Sequence, residues 1–61
     1  MDNPVATAML KEISKTTQDI GRRIGSPKND IDDLVILSEG LTAANEALLS
    51  TIRTLINTHQ I

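Results

Sequence analysis

The chain has no cysteine, no phenylalanine, tyrosine or tryptophan, and a single histidine. Without thiols it forms no disulfide, thiolate zinc site or Fe–S cluster. Without aromatic rings it lacks the stacking platforms on which most readers of single-stranded nucleic acid rely. No apolar run approaches the roughly 18 to 20 residues of a membrane span, and the N-terminus lacks the charged-then-apolar pattern of a signal peptide. The chain is therefore expected to be cytoplasmic, and with Met1 at its start it reads as a small open reading frame. A formal net charge of −2, with 6 cations scattered among 8 acids, disfavours affinity built on phosphate neutralisation.

What remains, in 61 residues, is helical. Asn3 is a good N-cap because its side-chain oxygen can accept from the free N–H groups of a first turn, and Pro4 suits a position that needs no donor. Behind them Ala6, Leu10, Ile13, Thr17, Ile20 and Ile24 recur at alternating spacings of four and three, with Met9 alongside, which draws one stripe on a helix over about 3–24. Lys11, Glu12, Lys15, Asp19 and Arg22 fall on its solvated faces.

Gly21 to Asp30 is the one cluster of helix breakers. Gly25 is placed to end the first helix in a left-handed conformation, and Pro27 forbids continuation. Ser26, Asn29 and Asp30 each offer a start for the next helix, with Asp32 and Asp33 in its positive first turn. The turn is therefore expected over about 25–29 and helix two over about 30–59. There Leu34, Leu41, Leu48 and Leu55 stand seven residues apart, a sustained heptad. With Ile31, Val35, Leu37, Ala44, Leu49, Ile52 and Ile56 they make an apolar arc roughly 160° wide, against about 100° for an ordinary amphipathic helix. Gly40 interrupts it and marks a close helix contact or a bend.

The fold class is therefore all-α, an antiparallel two-helix hairpin of one domain. A pivot near Pro27 places Ile20 opposite the first turns of helix two, Ile13 near Leu41 and Met9 near Ala44 to Leu48. Helix one spans about 31 Å and helix two about 45 Å. Ile52, Leu55, Ile56 and Ile61 should then be bare in a monomer, and such a surface marks association. A globule of this mass buries about 5,700 Å², and with about 60% of that apolar, burial contributes about 85 kcal/mol against about 90 kcal/mol of ordering. The terms cancel, and no disulfide or metal compensates. The expected remedy is a homo-oligomer, most simply a dimeric four-helix bundle, with Leu34, Leu41, Leu48, Leu49, Ile52, Leu55 and Ile56 at its interface.

Candidates for chemistry are few. Arg22, Arg23, Ser26 and Lys28 before a helix N-terminus form a candidate anion-binding set, although Asp30, Asp32 and Asp33 would compete for the cations. The bland reading is that the arginines complement the C-terminus of helix one and pair with those aspartates. Asp30, Asp32 and Asp33 lack the ligand ladder of a calcium loop. His59 has no acidic neighbour within a turn and reads as a half-exposed terminal residue. The hydroxyls of Ser14, Thr16, Thr17, Ser38, Ser50 and Thr51 have no second histidine and no enclosed pocket, so no catalytic residue, metal or cofactor is assigned. Thr17, Ser38 and Asn45 lie on or beside the apolar stripes. There a polar side chain sets oligomer register, sits at an exposed edge, or lines a small polar cavity between subunits.

The function these features favour is a non-enzymatic interaction module acting through protein–protein contacts, its partners being its own copies and another protein. The alternatives are a binder of a small anionic nucleotide or metabolite at a subunit interface, and a dimeric nucleic-acid regulator. The scattered cations weigh against the last.

Overall fold

The computed structural model describes residues 3–59, which form a two-helix hairpin measuring 49 × 15 × 11 Å along its principal axes. Helix α1 is Pro4–Ile24 and helix α2 is Ile31–His59. The Asn3 side chain accepts a hydrogen bond from the Ala6 N–H at 3.1 Å, and Pro4 fills the first turn. One of the four orphan donors of a helix start is thereby satisfied.

The end of α1 differs from the expectation. Gly25 has φ −77° and ψ −3°, in the right-handed region, and no described residue has positive φ. A left-handed cap is unnecessary because the last carbonyls find other donors. The Arg23 carbonyl accepts from the Gly25 N–H, from the Ser26 N–H at 3.1 Å and from Asn29 Nδ2 at 2.7 Å. Asn29 Nδ2 also donates to the Ile24 carbonyl at 3.3 Å. Asn29 thus closes the first helix, and Asp30 opens the second. Asp30 Oδ1 accepts from the Asp33 N–H at 2.8 Å while Asp33 Oδ2 accepts from the Asp30 N–H at 3.1 Å, a reciprocal capping box built from two aspartates. Ser26, the third candidate start, accepts from the Lys28 N–H at 3.3 Å and stabilises the turn instead.

Where the helices meet, the buried residues are Ala6 and Ile20 of α1 and Ala44 and Thr51 of α2. Leu10, Ile13, Leu37, Leu48 and Leu55 are half-buried around them. Ile20 lies against Gly40, so closely that a Cβ added there would stand 3.0 Å from Ile20 Cδ1. Gly40 is therefore a close-contact glycine in the third turn of α2, and Ile20 faces that turn and not the first. Counting outward from this antiparallel contact at equal rise puts Pro4 roughly level with Ile56 and Ile24 roughly level with Ile36.

The shifted register narrows the expected overhang: Ile52 and Ile56 are exposed, as expected, whereas Leu55 is half-buried. Helix α1 reaches far enough along α2 that Thr51 is only 1% exposed and Leu55 is half-buried. The excess length of α2 appears at the turn end as well, where Ile31 is 78% exposed. The turn consumes Gly25–Asp30, and α2 begins beyond the end of its companion. The expectations for Ile61 and for the His59 side chain fall outside the described residues.

The heptad leucines do not share one environment. A step of seven residues rotates a straight helix by about 20° short of two turns. Leu34 is 45% exposed and Leu41 37%, while Leu48 and Leu55 are half-buried. The row winds from the open side of α2 into the seam with α1.

Candidate association face

Helix α2 has two stripes. One faces α1 through Gly40, Ala44 and Thr51, flanked by Leu37, Leu48 and Leu55. The Thr51 hydroxyl is tolerated there because Oγ1 donates to the Ala47 carbonyl of its own helix at 2.9 Å. Its spacing of three and four residues from Leu48 and Leu55 puts it on this stripe, but its residue type gave no sign of burial. The second stripe, rotated by about 100°, carries Ile31, Leu34, Leu41, Leu49, Ile52 and Ile56. All six are exposed.

The expected interface residues therefore divide. Leu34, Leu41, Leu49, Ile52 and Ile56 lie open, whereas Leu48 and Leu55 lean into the hairpin seam. Val5, Met9, Ile24, Val35 and Ile36 are further exposed apolar side chains. Thr17, Ser38 and Asn45 are exposed, not buried in the monomer. Thr17 and Asn45 line a shallow groove of about 210 Å³ with Ile13, Leu41, Ala44 and Leu48. On the opposite flank Met9 and Ala47 line another of about 330 Å³ with Ala8, Glu12 and Ile13.

The turn brings Arg23, Ser26 and Lys28 to a groove of about 310 Å³, with Asn29, Asp33, Ile36 and Leu37 completing its walls. Arg22 does not line it. Both arginines engage Asp19, Arg22 Nη2 at 3.2 Å from Oδ1 and Arg23 Nε at 3.2 Å from Oδ2, rather than the aspartates of α2. These exposed pairs are worth less than about 1 kcal/mol each. An anion at this groove would meet one arginine already paired, one lysine and the Asp33 carboxylate. No group of three His, Cys, Asp or Glu residues able to hold a metal occurs among the described residues. No helix of these residues is long and apolar enough to cross a membrane.

The accessible surface totals 4956 Å², against about 3,900 Å² for a compact monomer of this mass. Burial relative to the extended chain is about 4,600 Å², short of the 5,700 Å² or so that a globule would reach. No protein-family model, no curated protein and no solved structure matches the chain.

Proposed function

We propose that this protein is a non-enzymatic helical interaction module that associates with its own copies through the open stripe of α2. The observation that carries this reading is the exposed row Ile31, Leu34, Leu41, Leu49, Ile52 and Ile56 on a hairpin whose own seam is thin. Six large aliphatic side chains along one side of a helix exceed the scattered apolar exposure normal for monomers. The surplus over a compact monomer, about 1,100 Å², also covers the roughly 800 Å² that each partner contributes to a standard interface. Pairing two hairpins gives a four-helix bundle and leaves charged outer faces for a further protein partner.

Association supplies the burial that one hairpin lacks, so stability must depend on protein concentration. Sedimentation equilibrium should give a dimer or larger species at micromolar concentration, and the thermal midpoint followed by circular dichroism should rise with concentration. A helical monomer with a concentration-independent midpoint would refute the proposal.

A further inference from the structure

The open stripe of α2 has an internal symmetry. Read with the two polar residues that lie in it, it runs Ile31, Leu34, Ser38, Leu41, Asn45, Leu49, Ile52, Ile56. At 100° per residue these positions fall within an arc of about 80°, with Asn45 at its middle. The spacings outward from Asn45 are four, three and four in both directions, and Asn45 is also the midpoint of Ile31–His59. The spacing reads the same from the centre toward either end, and two of the three mirrored pairs, Leu41 with Leu49 and Leu34 with Ile56, are aliphatic at both positions, so the face can match a second copy of itself turned end for end.

Resting on the self-association proposed above, we infer that the occupant of this face is the same face of a second copy, with α2 antiparallel to its counterpart and a two-fold axis passing at Asn45. Such an isologous contact sets residue n beside residue 90 − n of the partner. Leu41 then meets the partner's Leu49, Leu34 meets the partner's Ile56, and Ser38 meets the partner's Ile52. The Asn45 amides of the two copies face each other across the axis and can donate and accept reciprocally. A register slipped by one turn would set each amide against leucine. A polar residue in an apolar seam fixes register in this way, at some cost in affinity.

Charge at the rim agrees. Arg53 and Glu39 lie on the same outer edge of α2, and the axis brings Arg53 within an axial offset of about 3 Å from the partner's Glu39. Symmetry makes two such pairs. The surplus accessible surface is sufficient for this contact. Turned end for end, the two hairpins carry their turns to opposite ends of the bundle.

The absence of native cysteine permits a direct test. Asn45→Cys places one thiol per chain on the axis, whereas the two thiols of a Ser38→Cys dimer stand about 21 Å apart, beyond the roughly 7 Å Cα separation that a disulfide spans. Under mild oxidation Asn45→Cys should form a disulfide dimer at least tenfold faster than Ser38→Cys or the outward-facing Ser50→Cys. Mixing Ser38→Cys with Ile52→Cys should yield the crossed heterodimer. Crosslinking of Ser38→Cys as fast as Asn45→Cys would demonstrate parallel helices and overturn the inference. So would failure of both the Asn45→Cys and the mixed crosslinks while sedimentation shows the unmodified chain to be dimeric, because association would then use another face. Sedimentation as a monomer would instead remove the underlying self-association.

Discussion

At the residue scale, the two informative glycines act through different physics. Gly40 is favoured by its neighbour, since a Cβ there would stand 3.0 Å from Ile20 Cδ1 and the end of that side chain would have to give by a few tenths of an ångström. Gly25 is not required by its conformation. Its φ of −77° is open to any L-residue, and an added Cβ would find only the Arg22 carbonyl oxygen, at 3.9 Å. Gly25→Ala should therefore stabilise the protein by about 0.4–1 kcal/mol by restricting the unfolded chain. Denaturant unfolding at fixed protein concentration measures this. A loss of stability would mean that the position adopts the left-handed conformation after all. Thr51 shows where residue type misleads, because threonine is usually exposed and only its place in the seam with α1 explains its burial.

At the scale of elements, the hairpin and its caps differ in how far they could be read beforehand. Asn3 followed by Pro4 is a local signal whose partners lie within one turn, so the start of α1 was legible. Asn29 was not, because its role depends on the carbonyls of Arg23 and Ile24, six and five residues back, reached only once the turn has folded. That missing donor is also why Gly25 suggested a left-handed cap. Register at the turn end was misread for a related reason, although Met9 does line a groove with Ala47 and Ile13 one with Leu41, as expected. The pivot depends on how many residues the turn consumes, and periodicity reports helix faces without reporting loop length. The width of the apolar arc on α2 did survive, since it follows from 3.6 residues per turn alone, and it announced a second face before any neighbour was placed. The two sides of the turn should respond separately. Asp30→Ala removes the reciprocal cap of α2 and should cost about 1 kcal/mol. Asn29→Ala removes the side-chain donor from the Ile24 carbonyl and leaves the Arg23 carbonyl to its backbone donors, and should cost about 0.5–1.5 kcal/mol. Hydrogen exchange would localise the first loss to the amides of Asp32 to Val35 and the second to the last turn of α1. Equal loosening of both helices by either substitution would contradict this division.

At the scale of the whole molecule, folding and the proposed association are adjoining uses of one helix, and the leucine row crosses the border between them. Leu34 belongs to the open stripe, whereas Leu55 leans on α1. Truncating the four leucines to alanine one at a time should produce a graded exchange of symptoms. Leu34→Ala should weaken dimerisation about tenfold while the separated chain keeps its helicity, and Leu55→Ala should lower the helicity of the chain even when dilution has dissociated it. Leu41→Ala and Leu48→Ala should fall between, in that order. Sedimentation and circular dichroism across a dilution series measure the two effects independently, and uniform behaviour along the row would show that the winding has no energetic consequence. If the proposed partnership holds, evolution could retune it by editing the early leucines and durability by editing the late ones, with the winding of the row acting as a dial between being well folded alone and being well folded in company.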